Sequence, residues 1–156
     1  MPSFDPETYK NTTREQWQAA AAAWNNWGGL LRDWLGPATE IMFDMAGIGR
    51  GSRVLIVAAG AGDEALQAAD RVGPEGYVLA TDISSNILEF AAANAKRAGH
   101  ASVETRVMDG EGSDVPQASL DAVISRVGLI YFPDRRKALG GMKRALKPGG
   151  KVAAVV

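Results

Sequence analysis

Hydrophobic and polar positions follow two different periods along the chain. Over residues 1–50 the period is helical. Trp17, Ala20, Ala21, Trp24 and Trp27 recur at i, i+3, i+4, i+7 and i+10, which predicts one face of a helix. Thr13-Arg14-Glu15-Gln16 has the capping-box pattern that would open it. Gly28-Gly29 would close it. Leu30, Leu31, Trp34 and Leu35 predict a second helical stretch, broken at Gly36-Pro37. Pro37 suits the first turn of a third helix carrying Ile41, Met42 and Met45 and ending near Gly47.

From Arg53 the pattern changes. Val54-Leu55-Ile56-Val57-Ala58-Ala59 is a short, continuous apolar run bounded by glycine, as expected of a parallel strand buried on both faces. Gly60-Ala61-Gly62 follows, then a helix through Ala65, Leu66, Ala69 and Val72 that Gly73-Pro74 closes. Tyr77 to Thr81 predicts a second strand. Ser84 or Ser85 caps a helix whose buried face is Ile87, Leu88, Ala91, Ala92 and Ala95, with Gly99 at its end. Val103 to Val107 and Leu120 to Ser125 predict the third and fourth strands. Ala138, Leu139, Met142, Ala145 and Leu146 mark a further helix. Lys147-Pro148-Gly149-Gly150 reads as a turn, and Lys151 to Val156 as the fifth strand. Strand and helix alternating through five strands predict an α/β fold, an open parallel sheet with helices on both faces behind an N-terminal helical segment. The apolar last strand is of a kind normally covered or paired. The chain is therefore expected to be truncated there or to pair with a copy of itself.

Composition narrows the chemistry. The 156 residues suffice for one domain with a buried core. Lys+Arg is 17 and Asp+Glu is 18, a net charge of -1, so no basic excess points to nucleic acid. There is no cysteine, which excludes disulfides, thiol nucleophiles, zinc–thiolate sites and iron–sulfur clusters. The single histidine, His100, excludes a His-rich metal site and argues against a Ser-His-Asp triad; it follows Gly99 in a helix-to-strand turn and is expected at the surface. No apolar run reaches the ~18–20 residues that span a bilayer. Met1-Pro2-Ser3-Phe4-Asp5 lacks the pattern of a signal peptide. A cytoplasmic location is expected, with no metal and no membrane partner.

Three candidate contacts follow three successive strands. In open α/β sheets ligands bind beyond the carboxyl ends of the strands. Gly60-Ala61-Gly62 follows the first strand, where glycine permits a tight turn and a close ligand. Asp82 ends the second, where a carboxylate can accept both hydroxyls of a ribose. Asp109-Gly110 ends the third, within reach of an adenine edge. Singly these are also ordinary loop glycines, a helix cap and a turn pair. Together they point to a nucleoside-type cofactor. Gly60-x-Gly62-x-x-Ala65 fits the dinucleotide fingerprint too. However, Asp63 and Glu64 fall where a pyrophosphate would sit, and a carboxylate about 5 Å from a phosphate costs on the order of 3 kcal/mol at an effective dielectric of ~20. A sulfonium with an α-amino group tolerates that charge, which favours S-adenosylmethionine over NAD.

The motifs Val54 to Asp63, Ala80-Thr81-Asp82-Ile83-Ser84, Val107-Met108-Asp109-Gly110-Glu111, Leu120 to Ser125 and Leu146-Lys147-Pro148-Gly149-Gly150-Lys151 resemble one family. Over about residues 50–156 the chain is similar to the class I S-adenosylmethionine-dependent methyltransferases, and among them to the UbiE/COQ5-like (type 11) small-molecule group. The resemblance implies a Rossmann-like sheet of order 3-2-1-4-5. Residues 1–50 would be a helical cap segment, and 51–156 a cofactor-binding core, incomplete at its C-terminus because the family continues past the fifth strand. It implies roles as well. Gly60 and Gly62, with Ala61 between them, would line the methionine and ribose. Asp82 would hold the ribose hydroxyls, and Ile83 would lie on the adenine. Asp109 would meet the adenine amino group beside Gly110. Ser125 and Arg126 would border the methionyl end and the acceptor. Ile56 stands where the family usually has Asp or Glu, and Ala58 where it often has Gly. Weaker cofactor binding follows, with Ile56→Asp expected to tighten it.

The implied chemistry is methyl transfer to a small-molecule acceptor by direct displacement, which needs no nucleophilic side chain. No catalytic residue is assigned; Asp134 near Tyr131 is read first as a helix cap. Trp17, Trp24 and Trp27 are expected to pack on the sheet domain or on a neighbour, and Tyr9 or one of them to be able to stack on a ligand. Homodimerisation through the fifth-strand edge or the N-terminal helices is a further expectation. Two alternatives stand beside this: an NAD-dependent oxidoreductase, for which no Tyr-x-x-x-Lys or His relay is present, and a truncated or engineered domain that folds without turnover.

Overall fold

A computed structural model describes residues 4–156. Residues 1–3, part of the stretch read above as lacking a signal peptide, lie outside it. Helix α1 runs Pro6–Asn26 and α2 Gly28–Ala46. The sheet domain follows as β1 Arg53–Val57, α3 Asp63–Val72, β2 Tyr77–Asp82, α4 Ser85–Arg97, β3 Val103–Val107, β4 Leu120–Arg126, a 3-10 turn Leu129–Tyr131, α5 Arg135–Ala145 and β5 Leu146–Val155. All four strand pairs are parallel, in the order β3-β2-β1-β4-β5. The alternation read from the sequence, and the strand order that the resemblance implies, are thus present.

The central strands are apolar on both faces because helices cover both. Val54 and Ile56 of β1 join Met42 and Phe43 of α2 and Ala65, Ala68 and Val72 of α3 in one core. Leu55 and Val57 point the other way, into a second core with Leu120, Val123 and Met142. This is the period-2 alternation of a strand read out as two cores.

The N-terminal helices differ from expectation. The first begins at Pro6, where Asp5 caps it by accepting from the Glu7 N–H and proline takes a first-turn position. Thr13 therefore lies inside the helix and caps nothing. The expected break at Gly36-Pro37 is absent, and α2 runs through Pro37. Proline removes one donor, on the exposed Asp33 side. The helix is carried through by burial of Leu31 before the proline and of Met42, Phe43 and Ala46 after it. Near the C-terminus, the expected turn and strand form one irregular element. Leu120 pairs with Leu146 and Ala122 with Lys151, so residues 147–150 bulge out of the ladder, with Gly149 at φ +83°.

Candidate functional site

The site begins with how β1 ends. Val57 leads into Ala58-Ala59-Gly60-Ala61-Gly62, and Gly62, at φ +87°, is the N-cap of α3. A Cβ on Gly62 would come 2.9 Å from that of Ala91, so the residue serves both a left-handed turn and the contact between α3 and α4. The neighbouring strand ties the turn down. The Ala59 N–H donates to the Thr81 carbonyl at 2.8 Å, and the Thr81 hydroxyl to the Ile56 carbonyl at 2.9 Å.

Asp82 completes this junction. Its Oδ2 accepts the Gly60 N–H and its Oδ1 the Ser84 N–H, both at 3.0 Å. Burial pushes its carboxyl upward, against these backbone donors. Each oxygen keeps a lone pair for a further donor.

A cavity opens at the carboxyl ends of β1, β2 and β4, where ligands bind in open α/β sheets. Gly60, Asp82, Ile83, Asp109, Gly110 and Arg126 line it. Ala61, Gly62 and Ser125 do not: Ala61 packs with Ala21 and Ile87, Gly62 lies against Ala91, and Ser125 is fully buried in β4. Asp109 is braced from the N-terminal helix. Lys10 Nζ lies 2.8 Å from Asp109 Oδ2 and 2.6 Å from Glu111 Oε2, and Asp109 Oδ1 accepts the Glu111 N–H. Burial pushes the Asp109 carboxyl up, but Lys10 and that N–H overcome it and hold it below the usual range.

The tryptophan stripe divides. Trp17 and Trp24 meet edge to face, Trp17 also meets Tyr131, and both line the cavity. The Trp24 indole nitrogen comes 3.2 Å from where a Cβ of Gly60 would stand. Trp27, expected on the same packed face, is 63% exposed at the joint between α1 and α2. Tyr9 lies outside the cavity, against Phe4.

At the β4 end sequence reasoning missed a cluster. Arg126 donates from Nε to Glu64 Oε2 at 2.7 Å, from Nη2 to Asp63 at 3.2 Å and from Nη1 to the Thr39 hydroxyl at 2.9 Å, joining β4 to α3 and α2. Glu64 is 2% exposed and belongs to the cavity wall. Its signal in the sequence is a carboxylate on the apolar stripe of α3, in register with Ala68 and Val72. Lys10 carried no signal, because only the packing of α1 brings it to Asp109.

Three other expectations meet the structure. Ile56 is fully buried among Phe43, Ala65 and Ile124 and does not line the cavity. Ile56→Asp would place a carboxylate in this apolar core, at a cost in stability that stands beside its expected effect on binding. Asp134 caps α5, accepting the Lys137 N–H at 2.9 Å. His100 lies at the opposite end of the sheet from the cavity, 3.3 Å from Asp70.

The residues fit a nucleoside with a cationic tail. Acidic acceptors stand at the ends of β2 and β3, Ile83, Met108 and Phe132 offer apolar surface between them, and a glycine turn permits close approach. Among the described residues no helix is long and apolar enough to cross a membrane, and no cluster of His, Cys, Asp or Glu could hold a metal.

Known proteins carry the same pattern. The profile of the ubiE/COQ5 methyltransferase family matches residues 34–156. An uncharacterised protein of Mycobacterium tuberculosis is 30% identical over 156 residues, covering 99% of this chain and 53% of its own length. A demethylmenaquinone methyltransferase of Listeria welshimeri is 35% identical over 108 residues, 68% of this chain and 45% of that one. The crystal structure of an S-adenosylmethionine-dependent methyltransferase from Aquifex aeolicus superposes with a TM-score of 0.71 at 22% identity, over 97% of this chain and 72% of that one, and so shares the fold. The chain spans about half the length of the curated relatives it matches.

Proposed function

The chain belongs to the ubiE/COQ5 methyltransferase family, and from that premise we propose that it binds S-adenosylmethionine in the cavity and passes the methyl group to a small-molecule acceptor. One observation carries the reading. The carboxylate of Asp82 is fixed by backbone donors at the mouth of the Gly60 turn, on the wall of a cavity that continues to Asp109. When bound, the cofactor would supply an electrophilic methyl on its sulfonium, for direct displacement by the acceptor with a neutral thioether as the leaving group and the acceptor's proton released to solvent.

The chain's own part is binding, alignment and exclusion of water. Asp82 accepts the ribose hydroxyls, Ile83 and Phe132 flank the adenine, and Asp109 accepts its amino group through the lone pairs that Lys10 and Glu111 leave free. Gly60 permits close approach, with Gly110 beside the adenine. Trp17, Trp24 and Tyr131 roof the cavity and keep water from the sulfur. Arg126 borders the methionyl end. Ala61, Gly62 and Ser125 act from behind, by setting the turn and the end of β4. On this reading residues 1–50 are the cap and 51–156 the binding core. The setting is cytoplasmic.

Titration calorimetry with S-adenosylhomocysteine and NAD tests the proposal. Binding of the first alone is expected, and Asp82→Asn should weaken it about ten- to a hundredfold, the range of a lost charged hydrogen bond. Binding of NAD alone would overturn it.

A homodimer belongs to the same proposal. Trp27 at the joint and Leu30, Trp34, Ile41 and Met45 along α2 form an exposed apolar stripe on the helix that packs over β5. Sedimentation should find dimers at tens of micromolar; a clean monomer contradicts this part.

A further inference from the structure

We propose, resting on the cofactor reading above, that Glu64 is the binding residue for the α-ammonium group of the methionyl tail. Among the described residues, three carboxylates line the cavity: Glu64, Asp82 and Asp109. Both oxygens of Asp82 already hold backbone N–H groups, and those of Asp109 hold Lys10 and the Glu111 N–H. Glu64 differs. Oε2 takes the Arg126 Nε, while Oε1 is buried and has no partner in the protein. A buried acceptor left unpaired is costly. Tolerating one on a cavity wall makes sense where a ligand donor completes it.

Charge and position say which donor. Asp63 and Glu64 together face one buried guanidinium, that of Arg126, and the second cation, Arg32, reaches only Asp63 from a 54% exposed side chain. The Glu64 corner therefore has room for a further cation, and an arriving ammonium favours the ionised carboxylate that burial disfavours in the free protein. The topology sets the span. Asp82 ends β2, Gly60 follows β1 and Arg126 ends β4, three adjacent strands, so the diol end and the Glu64 corner stand about 10 Å apart with the glycine turn between them. A ribose on Asp82 sends its 5′ substituent across Gly60 toward that corner, and the cationic group at the end of the tail is the ammonium. Glu64 thus supplies the acid that the apolar β1, with Ile56 buried, cannot place in the cavity.

Calorimetry on the full chain with S-adenosylhomocysteine and 5′-methylthioadenosine, which lacks the amino-acid tail, tests this. The unaltered protein should bind both. Glu64→Gln should weaken S-adenosylhomocysteine at least tenfold and change methylthioadenosine by less than about twofold. Equal loss for both, or loss for neither, overturns the assignment of Glu64 and leaves the cofactor reading standing. Failure of the unaltered protein to bind either compound overturns both. A second measurement needs no variant: with ¹³C-labelled glutamate, the Glu64 carboxyl resonance should move with S-adenosylhomocysteine and stay in place with methylthioadenosine. A resonance that moves equally with both, or with neither, contradicts the proposal.

Discussion

Ala58 and Val127 both stand at φ +61° on the cavity wall, a left-handed conformation that L side chains seldom adopt. They meet around Gly128, where a Cβ would come 2.5 Å from that of Ala58. For Ala58 the left-handed state costs roughly 1–2 kcal/mol, more than the roughly 0.5–1 kcal/mol of entropy a glycine would lose there. Ala58→Gly should therefore raise the melting temperature by about 2 °C; an unchanged or lower midpoint would contradict the strain. The same observation explains why that position often holds glycine in the resembling family. Glu64 yields a prediction in pH. Burial pushes its carboxyl up to about 8, against the pull of Arg126 and with help from Asp63 and Asp82. A raised folded value means stability that is present below the ordinary carboxylate range and lost as pH rises through about 8. Melting curves of the native chain and Glu64→Gln at about pH 5.5 and pH 8.5 should show the native chain losing several degrees relative to the variant at the higher pH. A constant difference would mean that Arg126 keeps the carboxyl ionised throughout. Gly60, Asp82 and Asp109 were legible in the sequence because strand ends in an α/β alternation are where ligands sit. Glu64 and Lys10 were not, since their meaning arises only where α3 meets β4 and α1 meets the end of β3.

Among elements, the strands were easiest to read, because apolar runs buried on both faces leave little ambiguity, as Val54 to Val57 demonstrates. The helices before them were harder. Capping and proline signals are local, and the burial of Met42 and Phe43 outweighs the proline of α2. Thr13 matched a capping pattern that Asp5 and Pro6 had pre-empted upstream. Docking of α1 is the corresponding physical question. Gln18 accepts the Ser84 hydroxyl and the Asn86 N–H, Asn25 meets Asn94, and Lys10 binds Asp109 and Glu111. Lys10 is the one charged member, and Glu111 is almost wholly buried. Lys10→Met strands two carboxylates and should cost on the order of 3 kcal/mol. Amide exchange should quicken in α1 and at Asp109 while β1 and β4 stay protected. Uniform quickening would place the pair in the global fold instead of the cap.

At the scale of the whole molecule, the parallel sheet turns every strand's carboxyl end the same way, and the cavity collects what those ends carry. β2 brings Asp82, β1 the glycine turn, β4 Arg126, and the loop after β3 brings Asp109, with α1 above them. The opposite end, where His100 meets Asp70, carries none of the proposed chemistry. The central proposal is that a nucleoside spans the ends of β1, β2 and β3. A crystal structure of the chain with S-adenosylhomocysteine tests it most directly. The account predicts both ribose hydroxyls within hydrogen-bond distance of the Asp82 carboxylate, the adenine beside Ile83 with its amino group at Asp109, and the amino-acid tail running past Gly60. A ligand bound elsewhere, or a ribose that leaves Asp82 untouched, would contradict it.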